Sequence, residues 1–296
     1  MARNYYYLVA GLREYAIDAD TKGFDAVALR DEIAEGLCEA DREHLREFYT
    51  FFDIVNLISL WNEKSGFNPL GNRSKEALEE EMKQPEGLPP YIGAVILAYR
   101  NRIKEDKSND IDETIDTDLP FGRTLWTRFY EACAQSGSEF VRRWYAFDRQ
   151  LRNISAAYTA RRLGRDVAPE LVGESEINDA LARNSSADFG LKAEIDYIDT
   201  LVQILENKNM VEKERQLDLL RWQTADEMTD FDYFNLNKIL AYCVKINIIH
   251  RWMSLDAKIG NEMFLRLVDQ MTGRAIVSRA VDAVEGLDNR AKRVKN

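Results

Sequence analysis

The longest periodic pattern of apolar positions lies in the middle of the chain, in residues 138–164. Apolar residues recur there at intervals of four, three, four, three and four: Phe140, Trp144, Phe147, Leu151, Ile154 and Tyr158. This spacing places them on one face of an α-helix. Arginines occupy many of the positions between them. The pattern therefore predicts one amphipathic helix of about seven turns, apolar on one side and basic elsewhere.

Similar periodicities predict helices over most of the chain, with Ser74 as an N-cap and Pro120 in a first turn. The predicted helices are Asp25–Leu37, Asp41–Lys64, a short acidic helix from Ser74 that stops at Pro85, Tyr91–Lys104, one that begins at Pro120, Glu176–Arg183, Leu191–Asn207, Val211–Met228, Phe231–Lys258 and Glu262–Gly286. Breaks are predicted at residues 65–72, 105–118 and 165–175, where Gly, Pro or polar residues cluster.

The opening stretch is the one place where the pattern leaves two structures open. Tyr5–Leu12 is aromatic and β-branched and ends near Gly11, which fits either a short strand or the first turns of a buried helix. No strand pattern follows residue 12. The predicted fold class is therefore all-α.

A short pattern recurs three times at long, nearly equal spacing. Asn56 is followed five residues later by Trp61, Asn153 by Tyr158, and Asn247 by Trp252. The three Asn lie 97 and 94 residues apart, each is followed by an apolar residue, and a Gly comes later in each copy. A fixed long period predicts repeated structural units. The alternative is that Asn before apolar residues is simply common in helices.

The recurrence predicts three similar helical lobes of long packed helices around a funnel-like centre. The predicted boundaries divide the chain into residues 1–106 for the first lobe, 107–172 and 173–229 for the two parts of the central lobe, and 230–296 for the third lobe with a basic tail. The polar stretches at 105–118 and 165–175 mark two of these divisions.

Composition narrows the class of protein. The 296 residues are 45% hydrophobic, enough for a sizeable core, and contain only 15 Gly and 6 Pro, which favours long elements. The net charge is -11 at pH 7. Such an acidic chain is a poor candidate for general nucleic-acid binding, because that binding depends on neutralising phosphates.

The sequence contains no recognisable catalytic or metal-binding motif. Cys38, Cys133 and Cys243 are far apart and odd in number, and His44 and His250 have no partners at zinc-ligand spacing. The acidic run at 110–116 has Ile115 where a calcium loop needs its turn glycine. We therefore expect no catalytic residues, no metal and no cofactor. The thiol pattern and the lack of a signal peptide or a long apolar run predict a cytoplasmic protein.

Two stretches of this sequence resemble a known family. The opening Tyr5-Tyr6-Tyr7-Leu8-Val9-Ala10-Gly11-Leu12, and Ile239-Leu240-Ala241-Tyr242 with the Asn247-Ile248, Arg251 and Gly260 that follow, are similar to the C-type connector family of the V/A-type rotary ATPases. The eukaryotic members of that family are called d-type. The chain also resembles a bacterial group of uncharacterised proteins associated with V-type ATPase operons.

The resemblance implies a protein that catalyses nothing itself. It implies a rotor-side connector between the central stalk and the membrane ring of an ion- or proton-transporting ATPase. Such a protein transmits torque, uses no cofactor and is held at the inner membrane only through the complex. Its partners would be stalk and ring subunits, with no nucleic acid and no direct membrane insertion. A three-lobed all-helical architecture around a funnel is also what the resemblance implies.

Five basic residues beside the repeated Asn segments are the predicted partner-facing positions: Arg152, Arg161, Arg162, Lys245 and Arg251. Two other classes of function remain open. One is a free-standing helical-repeat scaffold that binds a protein partner. The other, less favoured because catalytic motifs are missing, is an all-α hydrolase that uses clustered carboxylates and a divalent metal.

Overall fold

The computed structural model describes residues 3–16, 23–104 and 114–255. Helices and turns make up these ranges, which contain no β-strand, so the all-α class is confirmed. Two compact units are present: residues 1–16 with 25–247, and residues 17–24 with 248–296. The second unit is described only at 23–24 and at 248–255, which is helical.

The helices are numbered α1 to α11 in chain order. Their bounds are Tyr6–Gly11, Ala26–Gly36, Glu39–Trp61, Lys75–Glu81, Pro90–Lys104, Phe121–Ala134, Glu139–Arg162, Glu176–Arg183, Ile198–Glu206 and Met210–Glu227 for α1 to α10. Residues 236–255 form α11. A single 3-10 turn, Ala168–Glu170, lies between α7 and α8.

Side-chain caps fix where several helices begin. Asp25 accepts from the amides of Val27 and Ala28 at the start of α2, and Asn209 accepts in the same way at the start of α10. Serines cap three others, with Ser74, Ser138 and Ser175 each accepting from the amide three residues on. A capping side chain satisfies an amide that has no partner within its helix, which is why such boundaries can be predicted from sequence.

The centre of the larger unit is an aromatic core between α3, α6 and α7. The ring of Phe51 lies 5.0 Å from that of Trp126, and Phe129 meets Tyr145 edge-on at 4.8 Å. The Tyr145 hydroxyl donates to the carbonyl of Phe48, so its only polar atom is satisfied inside the core. The predicted apolar face of α7 is buried, as its periodicity indicated.

Helix order repeats once in full along the chain. From α3 to α6 a helix of 23 residues is followed by helices of 7, 15 and 14 residues. From α7 to α10 a helix of 24 residues is followed by helices of 8, 9 and 18. In both sets a serine caps the short second helix, and one leucine on that helix is fully buried, Leu78 or Leu181. Helix α11 then occupies the place where a third set would begin.

Several sequence predictions need correction at element ends. The opening stretch is helical from Tyr6, which resolves its ambiguity. Residues 191–197 form turns rather than the first part of α9, and residues 231–235 form turns rather than the first part of α11. Leu191 and Ile195 have helical spacing because both are buried, not because a helix joins them. The predicted helix Glu262–Gly286 lies outside the described residues, and the lobe boundaries and the funnel stay predictions.

Candidate partner interface

Arg161 holds the segment after α8 in place. Its guanidinium donates to the carbonyls of Ser186 at 3.0 Å, Leu181 at 3.2 Å, and Asn184. Two of these carbonyls lie at the end of α8, where helix carbonyls lack internal partners. The charge also lies 3.8 Å from the centre of the Phe189 ring. Arg161 therefore has an internal role in addition to any that it has toward a partner.

Phe189 shows how tightly this segment is held. Its side chain is buried and its backbone is left-handed, with φ of 57°, a conformation that non-glycine residues seldom adopt. Gly190 follows at φ of 70°. The ring of Phe189 is covered by Arg161, and such a backbone persists only where its surroundings determine it.

Arg152 is also engaged within the chain. Its guanidinium carbon lies 4.1 Å from the centre of the Trp126 ring, a cation–π contact between α7 and α6. Its Nη1 is buried and makes no hydrogen bond with the described residues. Arg152 thus contributes to packing between two helices, on a partly exposed side chain.

The remaining predicted positions differ in exposure. Lys245 on α11 pairs with Asp226 at 2.6 Å and lies 5.1 Å from the Trp222 ring, which ties α11 to α10. Arg162, in the last turn of α7, is exposed. Arg251 is half-buried. Of the five, Arg162 is the most open to a partner, and its assignment as partner-facing stays a prediction.

The first repeated asparagine has a structural task. Asn56 is buried in α3, and its side chain faces the backbone of Asn68 in the loop that follows. The Asn56 amide donates to the Asn68 carbonyl at 2.9 Å, and the Asn68 amide donates to Asn56 Oδ1 at 2.7 Å. One side chain thus satisfies both polar groups of one loop residue.

Asn153 does the same in α7. Its amide donates to the Val172 carbonyl at 3.0 Å, and the Val172 amide donates to Asn153 Oδ1 at 3.0 Å. A second asparagine, Asn178 on α8, accepts from Asn153 at 2.9 Å and donates to the carbonyls of Val172 and Gly173. Two of the three recurring asparagines therefore make the same pair of backbone hydrogen bonds, which we call the asparagine pin.

The third copy is only partly described. Asn247 accepts a hydrogen bond from the Tyr49 hydroxyl at 3.1 Å, so it ties α11 to α3. The segment that would correspond to the pinned loops begins after residue 255, outside the described residues. Among the aromatic markers, Trp61 stacks on Phe121 at 4.2 Å, whereas Tyr158 and Trp252 are half-buried.

A charged cleft of about 660 Å³ opens beside the first pin. Its lining includes four arginines, Arg30, Arg42, Arg46 and Arg73, and three carboxylates, Asp31, Glu43 and Glu47. Arg30 donates to the carbonyls of Leu70 and Gly71, and Arg42 to those of Ala34 and Leu37. These two arginines thus join secondary-structure elements, as Arg161 does.

The same region contains a buried carboxylate that was not among the predicted site residues. Asp53 lies in α3 and accepts from the side chain of Asn72 at 3.1 Å and from the amide of Arg73 at 3.3 Å. The Arg73 guanidinium lies 3.6 Å from it. Burial raises the pKa of Asp53 above its usual range, although the Asn72 hydrogen bond and the Arg73 charge oppose that effect. The spacing Asp53-x-x-Asn56, on one helical face, was the available signal.

The chemistry of the cleft is that of a packed polar junction. Burial raises the pKa of the Cys133 thiol, which favours the protonated and weakly nucleophilic form. Within the described ranges, no group of three or more His, Cys, Asp or Glu side chains could hold a metal ion. Among those same residues, no helix is both long and apolar enough to cross a bilayer.

Comparison with known families assigns the chain to a group without a described activity. The family described as "Protein of unknown function (DUF2764)" matches residues 1–274 of the 296. The chain therefore belongs to this family. No curated protein sequence matches it.

Proposed function

We propose that this member of the DUF2764 family is a non-catalytic connector of a V/A-type rotary ATPase. It would link the central stalk to the membrane rotor ring and transmit torque, and it would lie on the cytoplasmic side, bound to the membrane only through the complex. The resemblance of its opening and of residues 239–260 to the C-type connector family is the starting point. The observation that carries the proposal is the repetition of helix order and asparagine pin between α3–α6 and α7–α10.

Torque transmission requires a stiff body, and the pins provide a source of stiffness. Each pin removes the freedom of a loop at a buried position, because both backbone groups of one loop residue are bonded to a helix side chain. The aromatic core between α3, α6 and α7 adds close packing, which deforms little under load. A connector of this kind needs no catalytic group.

Deletion of the gene in its native host tests the proposal directly. A connector that joins stalk to ring is required for coupling, so membranes from the deletion strain should lose ATP-driven ion pumping. ATP hydrolysis by the detached head should persist, because the catalytic subunits are untouched. Reintroduction of the wild-type gene should restore pumping. If pumping is the same with and without the gene, the proposal is wrong.

A pull-down from native membranes at low salt supplies the physical counterpart. Tagged protein should recover stalk or ring subunits, whereas recovery of neither by a folded bait would favour the free-standing scaffold. Charge reversal at Arg162 should weaken the complex, since this residue is exposed. Arg162→Glu is a cleaner variant than one that also changes Arg161, because Arg161 is bonded to the segment after α8. A complex unchanged by Arg162→Glu would remove that residue from the interface.

A further inference from the structure

The most exposed large apolar side chains gather on two adjoining segments. These are the start of α1, with Tyr6 and Tyr7, and the turn before α11, with Phe231, Tyr233 and Phe234; together we call them the aromatic patch. Tyr7 is 97% exposed, Phe231 93% and Tyr233 68%. The Tyr6 and Phe234 rings meet at 4.7 Å, which joins the two segments. Isolated exposed apolar residues are ordinary, but a group of five rings marks an interaction surface.

Hydrogen bonds hold both segments in place. The Tyr5 amide donates to the Phe234 carbonyl at 2.5 Å, and the buried Tyr5 side chain donates to Asp41 on α3. On the other side, Arg143 donates to the Met228 carbonyl at 3.2 Å and Thr229 to the Ala225 carbonyl at 3.0 Å. The rings are therefore presented by an anchored backbone, so binding would cost little ordering of the main chain.

Carboxylates surround the patch. Glu227 and Asp230 are exposed beside Phe231, and Asp232 accepts amide hydrogen bonds from Asn235 and Asn237, which leave its charge in place. Asp226 is neutralised by Lys245. The nearby cations in the sequence are Arg3 and Lys238, and the whole chain has a net charge of -11. The patch is thus apolar at its centre and acidic at its edge.

We infer that the aromatic patch binds an amphipathic helix of a protein partner, with large apolar side chains on one face and Lys or Arg beside them. Aromatic rings on a fixed backbone are typical centres of protein interfaces, and the acidic edge complements a basic partner. The described residues offer no strand edge for an added peptide strand, which leaves the helical mode of docking. An anionic bilayer would be repelled by the carboxylates. The inference goes beyond the connector proposal and does not depend on it.

Photocross-linking tests the inference in the full-length protein. p-Benzoylphenylalanine replaces Tyr233 in one variant and, as the matched control, Leu163 in another, which is 58% exposed at the end of α7. Both are irradiated with native membranes and cytosol, and the cross-linked peptides are sequenced. Position 233 should link to a protein segment rich in Lys or Arg with apolar residues at helical spacing, and position 163 should not. Links only to lipid, to an acidic segment, or equally from both positions would overturn the inference.

A synthetic peptide of the cross-linked segment then gives the size of the effect. Replacement of Tyr7, Phe231 and Tyr233 by Ser should raise the Kd at least about tenfold, the range of interface hot spots. Glu227→Gln with Asp230→Asn should weaken binding several-fold at low salt and much less at high salt, because exposed charges are screened. Replacement of Leu163, Met210 and Val211 by Ser is the control and should leave the Kd unchanged. Equal Kd values for all variants with wild-type circular dichroism would overturn the inference.

The outcomes also separate this inference from the connector proposal. A basic amphipathic segment cross-linked to position 233 but belonging to no ATPase subunit would support the patch and count against the connector. Co-purified stalk or ring subunits with no cross-link from position 233 would support the connector and remove the patch.

Discussion

The loops after α3 and α7 are pinned by the same side-chain chemistry but secured in different ways around the pin. Asn56 reaches 12 residues along the chain to Asn68, and Asn153 reaches 19 residues to Val172. Around the first pin the additional ties are charged, from Asp53 and Arg73. Around the second they are neutral, from Asn178 and from Gln150, which accepts from the Tyr197 hydroxyl at 3.0 Å.

This difference shows which part of the recurring pattern is structurally fixed. The asparagine is retained because an amide side chain can both donate to a carbonyl and accept from an amide, which few other side chains can do at a buried position. Three residues before the asparagine, one copy has Asp53 and the other Gln150. That position supports the loop through whatever partners the loop provides, so its chemistry is free to differ.

The largest effect is expected for Asn153→Ala. The change leaves the buried amide and carbonyl of Val172 and one amide of Asn178 without their partner, at a cost of about 1–3 kcal/mol for each polar group left unsatisfied. We expect a loss of about 3 kcal/mol in the free energy of unfolding, measured by urea denaturation. Amide hydrogen exchange should accelerate in residues 167–175 and not in residues 65–73. Asn101→Ala on α5 is a matched control for loss of a helical asparagine.

Asn56→Ala should cost less, about 2 kcal/mol, because Asp53 and Arg73 also hold the first loop. Exchange should now accelerate in residues 65–73 and stay unchanged in residues 167–175. The proposed difference between the two pins is wrong if Asn56→Ala destabilises the protein more than Asn153→Ala, or if either variant accelerates exchange in both loops.

Arg161→Leu should reduce stability by about 1–2 kcal/mol, since the guanidinium bonds to several carbonyls and covers Phe189 on a partly exposed site. Arg162→Leu is the matched control on the neighbouring, exposed residue and should change stability by less than about 0.5 kcal/mol. Thermal unfolding monitored by circular dichroism measures both. Equal Tm values for the two variants would show that Arg161 does not hold the segment after α8.

Asp53→Asn should give the smallest effect and one that depends on pH. Because burial raises the pKa of Asp53 above the ordinary 3.8, its protonation favours the folded state. That contribution is present below the ordinary pKa and is lost as pH rises through the raised one. The wild type should therefore lose stability relative to Asp53→Asn between acidic and neutral pH, by up to about 1 kcal/mol.

Urea denaturation at a series of pH values measures this difference. Asp230→Asn, at an exposed position, is the control and should show no such trend. Gln150→Glu would place a carboxylate at the matching position of the second pin and should introduce a pH dependence there. A flat difference between the wild type and Asp53→Asn would mean that the Asn72 and Arg73 contacts balance the burial of Asp53.

Local patterns in the amino-acid sequence were sufficient to predict the helical class and most helix positions. The period of α7, the caps Ser74, Ser138 and Ser175, and the breaks at Gly and Pro are local signals, because they depend on contacts within a few residues. For the same reason the recurring Asn could be found, since equal spacing is visible without knowing what the side chain does.

What these residues contact depends on how distant segments pack. Asn56 and Asn153 are pins because a distant loop presents one backbone residue to each, and Arg161 is bonded because the α8 carbonyls lie next to it. The exposed rings at 231–234 fit a helical pattern for the converse reason: their spacing alone cannot tell a buried face from an exposed turn. Burial and partner choice depend on residues far apart in the chain, and a local pattern carries no information about them.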